Sequence, residues 1–133
     1  MDVDALSQKI REVTPFIAHL DIQVTRGADE DYTEIQMPIK PEFSQHLGHA
    51  HGGVIGAMAD IAANLNSKQP MVTVEYKINF LRPAQGDKLI ARSRRIREGS
   101  RFTVAQAEVY AVQKQQEVLL ATCLATPVLA AKA

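Results

Sequence analysis

Apolar positions change their spacing twice along this chain of 133 residues, and each change marks an element. Near the start, Leu6, Ile10 and Val13 lie four and three apart, the spacing of one helical face. Asp2 and Asp4 suit the positive N-terminal end of that helix, and Pro15 ends it. Residues 21–26 and 32–39 read as two strands joined by a polar, hairpin-length turn over residues 27–31. Residues 41–51 have no clean period and form a loop rich in histidine and glycine.

Residues 52–65 form a long helix whose Val54, Met58, Ile61 and Leu65 make one bulky stripe. Its other side holds Gly53, Gly56, Asp60, Ala63 and Asn64, with Ala57 at the edge. Almost nothing on it is strongly solvated, so the pattern predicts burial on most sides. After Pro70 the period becomes two: Val72, Val74, Tyr76, Ile78 and Phe80 alternate with Thr73, Glu75, Lys77 and Asn79. Three further strands follow, at about residues 88–97, 102–113 and 117–128. The order is helix, two strands, one buried helix, then four strands in a meander. Such a chain is expected to be a single α+β domain over residues 1–133, with a curved antiparallel sheet wrapped around the central helix.

Composition narrows the function. Fifteen basic residues balance fifteen acidic ones, which argues against a global nucleic-acid footprint or a polybasic membrane anchor. One cysteine, Cys123, leaves no partner for an intramolecular disulfide and fits a reducing, cytoplasmic setting. The start of the chain is acidic where a secretory signal would be basic, and residues 118–131 are too short for a membrane span and carry Pro127. Beneath the neutral total the halves differ. Residues 1–60 hold ten acidic and four basic side chains, and residues 61–133 hold five and eleven.

Asp60 is the only charged residue between Glu42 and Lys68, in the middle of an apolar helix. A carboxylate there is costly unless something compensates it. It either caps a neighbouring loop or serves as general base or nucleophile. His51-Gly52-Gly53 immediately precedes the helix. Its first turn has unpaired N–H donors at the positive end, which suit a developing oxyanion. Gly52 and Asp60 are eight residues apart, ~12 Å at 1.5 Å rise per residue. Both groups must lie within about 3 Å of the reacting atoms. One copy of the helix cannot supply both to one carbonyl, whereas two antiparallel copies can. An enzyme built this way is a dimer with two shared sites, and the small residues Gly53, Gly56, Ala57 and Ala63 would allow the close approach.

Other chemistries fare worse. His46, His49 and His51 are close in sequence, but no recognised zinc spacing accompanies them, and neither a metal nor a cofactor is expected. Cys123 sits in an apolar strand, and no Gly-x-Ser-x-Gly elbow, Walker loop or dinucleotide fingerprint occurs. Arg82, Lys88, Arg92, Arg94, Arg95, Arg97 and Arg101 form a late basic run that either guards a solvated strand or receives a phosphate, with Arg82, Arg94, Arg95, Arg97 and Arg101 as the candidates for a CoA phosphate. Arg94 and Arg95 point to opposite faces of a strand, so not all can serve one ligand.

The combination of His51-Gly52-Gly53, Asp60, Phe80-Leu81-Arg82-Pro83-Ala84 and Gly86-Asp87 resembles the hotdog-fold acyl-CoA thioesterases of the phenylacetate-pathway (PaaI-like) type. The resemblance covers about residues 15–128. It implies a hotdog fold, an acyl-CoA substrate with a small aryl or short to medium acyl group, and homodimers whose strands pair across the two-fold axis, often doubled to tetramers. It implies Asp60 as the catalytic acid, Gly52 as oxyanion donor, His51 as the motif histidine near the thioester, and Thr73 in place of a Ser that positions water. Relatives often carry Asn six residues before the motif histidine, where this chain has Gln45 with the same amide on a longer arm. Two rivals share the fold: a non-catalytic acyl-CoA-binding protein, which has no need of Asp60, and an enoyl-thioester hydratase or dehydratase, whose His/Asp pair is spaced differently.

Overall fold

The computed structural model describes residues 2–27, 32–66 and 69–130. In chain order the elements are α1 (Val3–Val13), α2 (Pro15–Leu20), β1 (Gln23–Arg26), β2 (Tyr32–Pro38), a 3-10 turn at Pro41–Phe43, α3 (Gly52–Leu65), β3 (Met71–Phe80), β4 (Lys88–Glu98), β5 (Thr103–Gln113) and β6 (Gln116–Leu129). The six strands form one sheet in the order β1-β2-β4-β5-β6-β3, with every pairing antiparallel. Helix α3 packs on it, which is the expected α+β hotdog arrangement. The turn expected at residues 27–31 falls largely on residues 28–31, outside the described residues. None of the helices described is long and apolar enough to cross a membrane.

Four expectations change. Pro15 ends α1 but also opens a second helix, because a ring without an N–H fits the first helical position. The last four strands are not a simple meander: β3 pairs with β6 at the sheet edge, away from β4. The connection from β3 to β4 is too long for a tight hairpin, and its backbone is used to brace the fold. Ala84 accepts from Ala50 N–H at 3.1 Å, and Asp87 accepts from Ile39 N–H at 2.9 Å. Gly86 has φ +138°, and a Cβ there would lie 2.3 Å from the Val112 carbonyl oxygen, so the Gly-Asp pair is a backbone requirement of this crossing.

The third change concerns α3. Its buried side chains include Ile55, Met58, Ala59 and Ala62, whereas Val54, Ile61 and Leu65 are only partly buried. The reason lies in the sheet. Inward positions of β5 read Ala105, Ala107, Val109 and Ala111, all buried, and small facing residues let helix and sheet approach closely. Ser93 Oγ donates to the Ala62 carbonyl at 2.6 Å, which fixes that side of α3 against β4. Thr33 Oγ1 donates to Asn66 Oδ1 at 3.2 Å beneath the end of the helix.

The fourth change is in β3. A register shift between Thr73 and Glu75 breaks the period of two. Val72 and Val74 are 53% and 61% exposed, while Thr73 bonds to α3 and the Tyr76 ring lies against Gly56. Residues three apart thus share one side, as a β-bulge produces. Its partner in the ladder at Thr73 is Pro127, which has no N–H to donate and is tolerated in a sheet at such irregularities.

Candidate active site

Helix α3 presents two chemistries from its two ends. At its start His51 is the N-cap, and its Nδ1 accepts from Gly53 N–H at 2.8 Å. With Nδ1 used as an acceptor, a neutral His51 carries its proton on Nε2. The His51 carbonyl accepts from Val54 N–H at 2.9 Å and Ile55 N–H at 3.2 Å. Gly52 N–H donates to nothing among the described residues, so one donor at the positive end of the helix stays open. Gly52 lines a cleft of about 450 Å³ together with Gln45, His49, Phe80, Arg82 and Ala84, among others.

Gln45 shapes that cleft by closing its loop. Its Oε1 accepts from Leu47 N–H at 2.6 Å and His49 N–H at 3.1 Å, so the amide oxygen serves the loop rather than a ligand. His49 pairs with Gln85 Nε2 at 2.7 Å. His46 is exposed, and the His19 ring meets Phe43 edge-on at 5.7 Å. Among the described residues no three His, Cys, Asp or Glu side chains gather as a metal site.

Two turns along α3, Asp60 opens into a different cleft of about 640 Å³, which has no lining residue in common with the first. Thr73 Oγ1 donates to Asp60 Oδ1 at 2.5 Å. Asn64 Nδ2 lies 3.0 Å from the same oxygen, 2.8 Å from the Asp60 carbonyl oxygen and 2.6 Å from Thr73 Oγ1. The carboxylate is therefore held through Oδ1, and Oδ2 has no protein donor among the described residues. Asn64 Oδ1 is buried and has no hydrogen-bond partner among the described residues. Reasoning from the sequence gave Asn64 no role; its position four residues after Asp60, one helical turn on, was the available signal. The compensation that Asp60 needs comes from Thr73 and Asn64, and the bulge in β3 is what brings Thr73 there.

Other candidates are distributed differently. Gly56 is filled by its own chain: a Cβ there would be 3.0 Å from the Tyr76 hydroxyl, and Ala63 is buried, so Gly53 and Ala57 are what remains accessible of the small-residue face. Arg82 borders the Gly52 cleft and donates to the Leu119 carbonyl at 2.8 Å. Arg95 pairs with Glu98 at 3.0 Å, and Arg101 lines a third cleft of about 260 Å³. Arg94 and Arg97 are exposed on β4 and line none of these three clefts. The five arginines are not gathered at one point. Burial, helped by the charges of Asp60 and Glu75, pushes the Cys123 thiol up to about 11, which makes it a poor nucleophile at neutral pH.

An open helix-end donor in one cleft and a hydrogen-bonded carboxylate in another is the equipment of acyl transfer. Residues 40–126 match the family described as the acyl-CoA thioesterase N-terminal domain. The chain belongs to this acyl-CoA thioesterase family. A medium/long-chain acyl-CoA thioesterase of Escherichia coli K12 is 26% identical over 133 aligned positions, covering 84% of this chain and 83% of that protein. The crystal structure of a thioesterase family protein from Silicibacter pomeroyi superposes with a TM-score of 0.84 at 29% identity, covering 93% of this chain and 98% of that one. A thioesterase from Haemophilus influenzae gives 0.80 at 25%, covering 96% and 90%. The sheet, the central helix and the glycine-led helix start described above are thus those of a thioesterase-family protein.

Proposed function

We propose that the protein is an acyl-CoA thioesterase of the phenylacetate-pathway type, acting on a small aryl or short to medium acyl thioester as a homodimer that can double to a tetramer. The observation that carries the reading is the division of labour along α3. Gly52 N–H, an open donor, lies in one cleft, and Asp60, an anchored carboxylate, lies in another. Two copies related by a two-fold axis would bring the Gly52 of one protomer to the Asp60 of its partner. The free edge of β3, with Val72, Val74, Tyr76 and Phe80 exposed along it, supports pairing of that strand with a second copy.

In this mechanism Asp60 Oδ2 takes a proton from water as the water oxygen attacks the thioester carbon. The carbonyl electron pair moves onto oxygen, where Gly52 N–H and the helix end stabilise it. Collapse of the tetrahedral intermediate breaks the C–S bond, and the proton on Asp60 passes to the departing sulfur, leaving acid and thiol. Engagement of Oδ1 by Thr73 and Asn64 leaves Oδ2 as the carboxylate oxygen free to act, as the base on water in this scheme or as a nucleophile on the thioester carbon. Gln45 supports the donor cleft through its loop, His51 caps the helix that carries Gly52, and Arg82 is the arginine best placed for a CoA phosphate. One buried, unreactive thiol fits a cytoplasmic protein.

The test is thiol release from a panel of acyl-CoAs by wild type and Asp60→Asn. The variant should lose about 10²–10⁴-fold in kcat while retaining the native circular dichroism spectrum. Hydrolysis by Asp60→Asn at the wild-type rate would overturn the assignment.

A further inference from the structure

We propose that Asn64, one helical turn beyond Asp60, is a positioning residue for the reaction: its amide turns the Thr73 hydroxyl onto Asp60 Oδ1 and keeps Oδ2 as the oxygen that acts. The inference rests on the thioesterase reading above and concerns how the acid is held. All the contacts it uses lie within one protomer, so they are the same whichever groups a second copy brings to the cleft.

The amide of Asn64 fits its surroundings in only one sense. Nδ2 lies 2.8 Å from the Asp60 carbonyl oxygen, 3.0 Å from Asp60 Oδ1 and 2.6 Å from Thr73 Oγ1. A carbonyl and an ionised carboxylate can only accept, so the amide presents its nitrogen to them. Half a turn of the amide would set oxygen against oxygen at both. The price of this orientation is Asn64 Oδ1, which is buried with no hydrogen-bond partner among the described residues. An orphaned buried acceptor destabilises a fold, so a residue that carries one while three oxygens share its nitrogen is placed for what the nitrogen does.

That orientation fixes the hydroxyl of Thr73. A hydroxyl has one proton. With an Asn64 N–H directed at its oxygen, that proton points away from Asn64, and Asp60 Oδ1 takes it at 2.5 Å. Without Asn64 the hydroxyl would be free to accept from a protonated Oδ1 instead. With Asn64 in place Oδ1 faces an N–H and an O–H, so the proton that Asp60 takes from water sits on Oδ2, from which the departing sulfur receives it. The same NH₂ group bridges the carbonyl and the carboxylate of one residue, which also locks the side-chain rotamer of Asp60.

The experiment measures thiol release by Asn64→Leu, Asn64→Ala, Thr73→Val and the double variant Asn64→Leu/Thr73→Val. The substrate is whichever of butyryl-, octanoyl- and phenylacetyl-CoA wild type hydrolyses fastest. Both Asn64 variants should keep the native circular dichroism spectrum and lose about 10- to 100-fold in kcat, with KM changed less than about threefold. The double variant should fall no more than about threefold below the slower single variant, because the two residues act as one chain. Wild-type kcat in either Asn64 variant, a loss carried by KM, or single losses that multiply in full in the double variant overturns the inference. Loss of the native spectrum in both Asn64 variants overturns it too, by making Asn64 structural. The two readings fail separately. Hydrolysis by Asp60→Asn at the wild-type rate defeats the reaction, whereas an inactive Asp60→Asn beside a fully active Asn64→Leu defeats only the positioning role.

Discussion

A site shared between two copies makes a quantitative prediction that no single variant can mimic. Gly52 is the first residue of α3, where proline is well tolerated because its missing N–H has no partner within the helix. His51 has φ −64° and ψ 139°, the extended conformation that a following proline prefers. An added Cβ at Gly52 meets the Phe80 ring at 3.4 Å, an ordinary contact. Gly52→Pro therefore deletes one open donor with little disturbance, and Gly52→Ala adds the Cβ while keeping the donor. Loss of one oxyanion donor costs about 10²–10³ in kcat, and loss of the acid about 10²–10⁴. Each pure variant should thus retain at most about 1% of wild-type turnover. When Gly52→Pro and Asp60→Asn are co-refolded in equal amounts, half the dimers are mixed. Each mixed dimer has one doubly damaged site and one site with both native groups. About a quarter of the sites are then intact, and thiol release should recover to roughly 25% of wild type. Gly52→Ala alone should remain active. If the mixture stays as inactive as its parents although subunits exchange, the donor and the acid do not meet across an interface, and the shared site is wrong.

Two further outcomes follow from particular contacts in the fold. Thr73→Val removes the hydroxyl that donates to Asp60 at 2.5 Å, a hydrogen bond to a charged group worth about 1.5–3 kcal/mol. kcat should fall about 10- to 100-fold while KM changes little, and Thr73→Ser should restore most of it; wild-type kcat in Thr73→Val would remove Thr73 from the site. For stability, burial pushes the Glu34 carboxyl up, but hydrogen bonds from Arg92, Thr25 and Gln36 and the Arg92 charge outweigh it and leave Glu34 below its ordinary 4.5. Stability from this group is present above that value and is lost as pH falls through the depressed folded value. Urea midpoints should therefore drop between neutral pH and about pH 3.5 by less in Glu34→Gln than in wild type, and equal drops would refute the linkage.

Several features of the molecule were legible in the order of its residues because they depend on neighbours a few positions away. The start and end of α3 followed from His51-Gly52-Gly53 and from the change of period near Pro70, and the strands β4, β5 and β6 from their turns. Asp60 stood out because a charge in an apolar helix demands compensation, and the ~12 Å between it and Gly52 is a property of any α-helix. What supplied the compensation was legible only in part, since the family resemblance placed Thr73 near the reaction but neither pattern nor resemblance pointed to Asn64 or to the geometry that brings Thr73 there. Strict alternation placed Val72 and Val74 with Tyr76 on the inner side of β3 and turned Thr73 away. A single bulge opposite Pro127 reversed that parity at the start of the strand and aimed the Thr73 hydroxyl at Asp60. Bulges arise where two strands meet, and Pro127 lies more than fifty residues from Thr73, so no local pattern contains the event.

The same holds for the faces of α3 and for its surroundings. Helical periodicity identified a bulky stripe, yet the sheet chose Ile55, Met58, Ala59 and Ala62, because the alanines of β5 admit a close helix and Ser93 binds the Ala62 carbonyl. Gly56, read as room for a second helix, was taken by Tyr76 once β3 paired with β6 instead of β4. Local chemistry thus determined which residues of this protein are candidates for function and how far apart a helix holds them. Tertiary pairing decided which side chains stand beside them and that the donor and the acid open into separate clefts, because strand order and register depend on contacts between distant segments.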